Sequence, residues 1–242
     1  MIEQLVVVGD SHTRSYTKFQ NIYPFFLGPG KEYNLSDKQF KKIINKIELF
    51  FNKYGWINNE NTLFLFSFGE ADCRYLLSGD WHISTRIAIE NWKNIQIYDK
   101  EKEVEKLIEN YTKVIDVLKK YTENYFILTP TTAFFPTYNY MTTFNRLLNQ
   151  TFKENVLDLY SKISKPNINI YSMEKYDRII CWENLCDDIN YDPIHLNHHI
   201  ISILLNILAS KIIINSDDYR RTNILGNKYY FVKHKKFNTY LI

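Results

Sequence analysis

The chain has 242 residues, of which 45% are hydrophobic, so it can bury a large core and we expect a single domain. Thirty Lys and Arg residues nearly balance 27 Asp and Glu residues, which gives no electrostatic argument for a nucleic-acid partner. The sequence has neither an 18-residue apolar run nor the pattern of a signal peptide, so we expect no membrane partner and a cytoplasmic location. The three cysteines are an odd number, which suits reduced thiols in such a compartment.

The first apolar run, residues 5–8, predicts a buried strand that ends at Gly9-Asp10-Ser11-His12. The polar residues 11–17 can open a helix. Residues 19–26 are apolar and aromatic and end in a turn signal at 27–30, where further backbone N–H groups could face the end of the first strand. Catalytic groups of open α/β sheets lie at the carboxyl ends of strands, so Ser11 stands at a position suited to chemistry.

Alternating strands and helices follow along the rest of the chain. Helical spacing predicts helices over residues 36–51, 100–121 and 138–163, and a last helix opened by Pro193-Ile194-His195-Leu196. Strands are predicted at 62–68, 125–130 and 168–171, and an edge strand or docked tail at 229–232. This alternation indicates a parallel sheet with helices on both faces. We expect one domain over residues 1–215 with the tail 216–242 docked on it, and a solvent-exposed basic run at 233–236.

A serine nucleophile needs a base, a group that orients the base, and donors for the oxyanion. Asp192 and His195 are three residues apart at a predicted helix start, so the carboxylate can reach one imidazole nitrogen while the other faces Ser11. The backbone N–H groups of Ser11 and Gly28 could form the oxyanion site. These residues predict a Ser-His-Asp triad.

Three short motifs resemble those of the SGNH (GDSL-like) hydrolase family. Gly9-Asp10-Ser11 is similar to the block that holds the nucleophile, Gly28 to the glycine of the second block, and Asp192-Pro193-Ile194-His195 to the closing Asp-x-x-His block. The resemblance spans about residues 5 to 214. It implies a flavodoxin-like three-layer α/β/α fold with a mainly parallel sheet, and ester or acyl-transfer chemistry without a metal or other cofactor.

The third block departs from the family pattern. The family has Gly-x-Asn-Asp, in which the asparagine donates to the oxyanion, whereas this chain has Ala71 at that position. Loss of one such donor typically costs ~10²–10³ in rate. Arg74 and His12 are the candidates to replace it, because both adjoin the expected site and can donate hydrogen bonds.

Residues 68–74 also resemble a subgroup of SGNH-like proteins found among glycan-processing genes. That resemblance favours an oxyanion site in which another donor compensates for Ala71 over a decayed site. The partner that we expect is a small-molecule or glycan acyl ester, commonly an acetyl ester. Glu70 and Asp72 of this segment are expected beside the oxyanion and substrate site. They could be a carboxylate pair for glycoside hydrolysis, but two acids this close at one strand end favour a loop-capping role.

Other interpretations of the same residues remain open. Ser11 could be a helix N-cap. His195 and His199, one helical turn apart and close to Asp192, could hold a metal. Cys73 could be a nucleophile only beside a histidine, and is otherwise a buried thiol. Ala71 leaves open a catalytically silent module that binds glycans or scaffolds other enzymes.

Overall fold

The structure is a computed structural model. It describes residues 1–10, 13, 16, 19–27, 37–55, 60–70, 72–73, 101–130, 138–163, 185–186, 192–196, 200–214, 233–234 and 237–238. Within these ranges, it describes the backbone alone at 37–39, 101, 138–140, 163, 185–186, 192–196, 200, 233–234 and 237–238.

Five parallel strands form the central sheet. They are β1 (Gln4–Gly9), β2 (Ile22–Phe26), β3 (Thr62–Ser67), β4 (Tyr125–Leu128) and β5 (Val156–Leu157). Their order across the sheet is β2-β1-β3-β4-β5, and every pair of neighbours is parallel. This is the flavodoxin-like order. The strands predicted at 5–8, 62–68 and 125–130 are confirmed.

Helices cover both faces of the sheet. One face carries α1 (Asp37–Tyr54), α2 (Glu101–Lys119) and α3 (Tyr138–Phe152), and the other carries α4 (Leu159–Ile163) and α5 (Ile200–Ala209). Alternate residues of each strand point to opposite faces. In β1, for example, Val6 and Val8 belong to the core cluster on the α1 face. Leu5 and Val7 belong to the core cluster on the α5 face. The predicted three-layer α/β/α fold is therefore confirmed.

Strand β2 is an element that the sequence patterns did not reveal. It occupies the edge of the sheet, and its central residue, Pro24, lies opposite Val7 of β1. Proline is tolerated at an edge when its nitrogen faces away from the ladder. The N–H of Leu27 donates to Gly9 at 2.9 Å. Because N–H groups alternate along a strand, the nitrogen of Pro24, three residues earlier, faces outward.

The prediction of one helix over residues 138–163 was wrong. The chain leaves the helix at Lys153, whose φ of 46° is left-handed, and then forms β5 beside β4. A new helix, α4, starts after Asp158, whose Oδ1 accepts the N–H of Ser161 at 3.1 Å as an N-cap. Helical spacing assigned the apolar residues Val156 and Leu157 to one long helix, but in the structure they pair with β4.

The prediction that Pro193-Ile194-His195-Leu196 opens the last helix was also wrong. Residues Asp192–Leu196 form strand β7, which pairs antiparallel with β6 (Leu185–Cys186), and α5 begins at Ile200. A proline biases the residue before it toward extended backbone, which favours a strand at Asp192.

Other predictions fall largely on undescribed residues. The predicted strand at 168–171 and the tail segment 229–232 lie outside the described residues. Of the expected docked tail, the structure describes only the short antiparallel pair β8 (Lys233–His234) and β9 (Phe237–Asn238). None of the helices in the described part of the chain is long and apolar enough to cross a membrane.

Candidate active site

The strand order reverses at β1, whose neighbours are β2 on one side and β3 on the other. In doubly wound sheets, ligands bind in the crevice outside the carboxyl ends of the strands at such a switch point. The carboxyl ends of β1 and β3 lead to Asp10 and Gly69, respectively, so both sequence blocks predicted to carry chemistry follow strands that meet at this edge.

The end of β1 is held closely against β3. A Cβ atom on Gly9 would lie 2.2 Å from the carbonyl oxygen of Ser67, so only glycine fits there. The N–H of Asp10 donates to the same Ser67 oxygen at 3.3 Å. The backbone N–H and the hydroxyl of the buried Thr13 both donate to the carbonyl of Asp10, at 3.1 and 3.0 Å. These bonds fix the chain immediately before and after Ser11 and His12, which themselves lie outside the described residues.

After β3, the chain passes through Gly69, which has a positive φ, and then adopts helical backbone. Gly69 has a φ of +110°, and a Cβ atom there would lie 2.5 Å from the ring of Phe144. The backbone is helical at Glu70, Asp72 and Cys73, and the N–H of Cys73 donates to the Gly69 carbonyl at 3.0 Å. The candidate donor Arg74 and the substituted position Ala71 lie outside the described residues.

Glu70 and Asp72 are buried, with 1% and 0% of their surface exposed, next to the fully buried thiol of Cys73. Burial raises the pKa of the Cys73 thiol well above its usual value, and the nearby carboxylates of Asp72 and Glu70 raise it further. The thiolate is the reactive form of cysteine. Cys73 is therefore a neutral, inert thiol at neutral pH, as expected for the buried-thiol interpretation.

We expect Cys73 to resist alkylation in the folded protein. Iodoacetamide should modify it at least about tenfold more slowly in buffer than in concentrated urea, because both burial and the raised pKa suppress the thiolate. Digestion with trypsin gives the peptide 54–74, in which Cys73 is the only cysteine. Mass spectrometry can therefore follow this thiol separately. Equal rates in buffer and urea would contradict its burial beside two carboxylates.

The direction of α5 bears on the predicted base and its orienter. The helix packs on the sheet through Ile201, Leu204 and Leu208, and the chain that follows it meets the amino end of β1, where the N–H of Ile2 donates to Ile213 at 2.9 Å. The carboxyl end of α5 is thus at the amino edge of the sheet. Its amino end, about 15 Å away at 1.5 Å per residue, points to the carboxyl edge.

Strand β7 precedes the amino end of α5 by three residues, a span of about 14 Å at most between Leu196 and Ile200. Asp192 and His195 belong to this strand and are described by their backbone alone. Side chains three apart in a regular strand point to opposite faces. The pairing of β7 with β6 is not regular, because Leu185 pairs with Leu196 and Cys186 with Asp192. The helical turn assumed for this pair is therefore replaced by an irregular strand.

The second predicted donor, Gly28, follows the last described residue of its segment, Leu27. Leu27 is buried, and its N–H donates to the carbonyl of Gly9 at 2.9 Å, so Leu27 lies directly beside the end of β1. Gly28 itself lies outside the described residues.

Nine solved protein chains resemble this chain in structure, and two of them are described below. No protein-family model matches the chain, and the search of curated proteins found no match. An inferred acylhydrolase from Bacteroides fragilis NCTC 9343 superposes with a TM-score of 0.43 at 11% identity, over 86% of this chain and 85% of that one. The lipase Lip_vut3 from a goat rumen metagenome superposes with a TM-score of 0.42 at 12% identity, over 87% and 97%. The fold assignment rests on the strand order and the helix packing rather than on these low scores.

The structure also brings to this edge a residue that the sequence did not single out. Lys46 of α1 donates from Nζ to the carbonyl oxygen of Leu27. Lysines on an amphipathic helix are normally expected to face solvent. The only sequence signal for partial burial of Lys46 was its position directly before Ile47, which is fully buried.

Proposed function

We propose that the chain is an SGNH-like serine esterase or O-acyltransferase that acts on acyl esters of a carbohydrate, most simply acetyl esters. Ser11 attacks the acyl carbonyl, and His195 takes the Ser11 proton and later returns it to the leaving alcohol. Asp192 fixes the imidazole tautomer and stabilises the imidazolium. Hydrolysis and transfer share the acyl-enzyme, which reacts with either water or an acceptor hydroxyl.

The observation that carries this proposal is the direction of α5. Its amino end points to the carboxyl edge, where Asp10 follows β1, and β7 with Asp192 and His195 precedes it by only three residues. A base and a nucleophile that are 184 residues apart in the chain are thereby compatible with one site. The switch-point position of β1 and β3 supports the same edge as the place of reaction.

The oxyanion would be stabilised by the backbone N–H groups of Ser11 and Gly28. Because Ala71 supplies no side-chain donor, we assign the third donor to Arg74 or His12, which are next to the site in sequence. Glu70 and Asp72 are buried at the end of β3, which agrees with a supporting role for these carboxylates rather than with contact to water.

The proposal can be tested with a small activated acetate ester and with acetylated glycans. We expect turnover that is blocked by a fluorophosphonate and resists chelators. Arg74→Ala or His12→Ala, whichever removes the donor, should lower kcat by ~10²–10³. An Arg146→Ala variant, which changes an exposed arginine of α3, should retain full activity. Full activity in both Arg74→Ala and His12→Ala would contradict the donor assignment, and chelator-sensitive turnover would favour metal chemistry at His195 and His199.

A second candidate is a catalytically silent glycan-binding or scaffolding module, which the alanine at position 71 favours. Such a module would bind acetylated glycans in a calorimeter without turnover of any ester and without labelling by the fluorophosphonate. Turnover that depends on Ser11 would exclude it.

A further inference from the structure

The carbonyl of Leu27 has an unusual partner for a strand end. It accepts a hydrogen bond from the ammonium of Lys46, a side chain of α1. The N–H of Leu27 donates to the carbonyl of Gly9 at 2.9 Å. Leu27 is thus held on two sides, by the end of β1 through its N–H and by α1 through its carbonyl.

Lys46 is placed where a lysine is costly. It precedes the fully buried Ile47 and is itself only partly exposed, whereas Lys41 and Lys42 on the same helix are exposed. Burial lowers the pKa of Lys46, and the positive charge of Lys42 lowers it further. A hydrogen bond from a charged donor is roughly twice as strong as a neutral one, so the Leu27 carbonyl offsets part of this cost.

A peptide unit is planar and almost always trans, so its C=O and N–H groups point in opposite directions and turn together. The unit that begins with the Leu27 carbonyl carries the N–H of Gly28. An ammonium bound to the carbonyl fixes the plane of this unit, and polarisation along the hydrogen-bonded chain strengthens the N–H as a donor.

We propose that Lys46 is a positioning residue for the oxyanion site: by binding the Leu27 carbonyl, it orients and polarises the peptide unit between Leu27 and Gly28. This inference rests on the proposed function, in which the N–H of Gly28 stabilises the oxyanion. Lys46 does not touch the substrate and acts only through the peptide.

The test compares Lys46→Met, which keeps the length and removes the charged donor, with Lys46→Arg, which keeps a donor. Lys41→Met is the matched control, because Lys41 is exposed on the same helix. Complete loss of an oxyanion donor costs ~10²–10³. A misoriented Gly28 N–H should cost part of this, so we expect Lys46→Met to lower kcat by about 10–100-fold with little change in KM. Lys46→Arg should recover most of this loss, and Lys41→Met should match the parent protein.

Two results separate the possible failures. If a fluorophosphonate labels Ser11 equally fast in the parent protein and in Lys46→Met, and kcat is unchanged, Lys46 merely tethers α1 to β2 and the inference is overturned even if the melting temperature falls. If the parent protein is neither labelled at Ser11 nor active, the proposed function fails and this inference fails with it. A slower reaction of Lys46→Met in both assays, restored by arginine, supports the positioning role.

Discussion

Replacement of Ser11 by alanine is expected to lower kcat on an activated acetate ester ~10⁶-fold. The remaining rate should still exceed the rate without enzyme, because the oxyanion site and substrate binding are left in place. His195→Ala should have a similar effect, because the hydroxyl is a weak nucleophile until a base takes its proton. Asp192→Asn should cost less, on the order of 10⁴-fold, since it leaves the nucleophile and the base in place but favours the wrong tautomer.

The three residues should also behave as one unit. The double variant Ser11→Ala with His195→Ala should be no slower than either single variant, because each alone disables the nucleophile. Ser210→Ala is the matched control: this serine lies just past the carboxyl end of α5, at the opposite edge of the sheet, where its hydroxyl donates to Ile207 at 2.6 Å. Independent, additive losses, or full activity in His195→Ala, would contradict a triad.

Replacement of Gly9 by alanine is expected to have the largest effect on stability. The new Cβ atom would lie 2.2 Å from the backbone carbonyl of Ser67 and 3.0 Å from Cγ2 of Thr13. A backbone atom cannot swing away as a side chain can, so β1 and β3 must separate where they lead to the candidate site. Overpacking of this kind should cost about 3 kcal/mol in the free energy of unfolding. For a domain of this size, that corresponds to a fall of roughly 6–12 °C in Tm.

Gly55→Ala is the matched control, because a Cβ atom at Gly55 would meet nothing within 4 Å. Its free energy of unfolding, measured by urea denaturation, should stay within about 0.5 kcal/mol of the parent protein. Gly9→Ala should also lower kcat in the protein that remains folded, since a ~1 Å displacement of a reacting group can cost ~10²-fold. Equal unfolding midpoints for the two variants would contradict the close approach of β1 to Ser67.

Much of the sheet could be predicted because its central strands are buried on both faces. The runs at β1 and β3 are continuous apolar sequences that end at glycine and polar residues, and α1 and α2 show clear helical spacing. These patterns could be recognised because the buried positions of these strands and helices carry apolar side chains. The α/β alternation indicated a parallel sheet, and the resemblance to the SGNH hydrolase family implied its flavodoxin-like arrangement.

The errors arose where tertiary contacts decided between two compatible patterns. Phe152, Val156 and Leu159 recur at helical spacing, so periodicity alone could not show that Lys153 turns left-handed and that β5 pairs with β4. At Asp192, the sequence suited both a helix N-terminus and a strand, and pairing with β6 favoured the strand.

The sequence predicted which residues follow the strands better than it predicted their hydrogen bonds. Glycine and acidic residues were expected after β1 and β3, and these two parallel strands end side by side at one edge of the sheet. The hydrogen bond from Lys46 to Leu27 joins residues 19 positions apart. The position of Lys46 before the apolar Ile47 was too weak a signal to distinguish it from other lysines on an amphipathic helix.

The central claim, that Ser11 is a nucleophile at the β1 end, is tested most directly by mapping a fluorophosphonate adduct. Trypsin cleaves after Arg14, and the resulting peptide 1–14 contains Ser11 as its only serine. We predict that mass spectrometry will find the adduct on Ser11 of this peptide in the folded protein, and will not find it in His195→Ala. A protein that hydrolyses the acetate ester while this serine stays unmodified, or carries the adduct elsewhere, would contradict the claim.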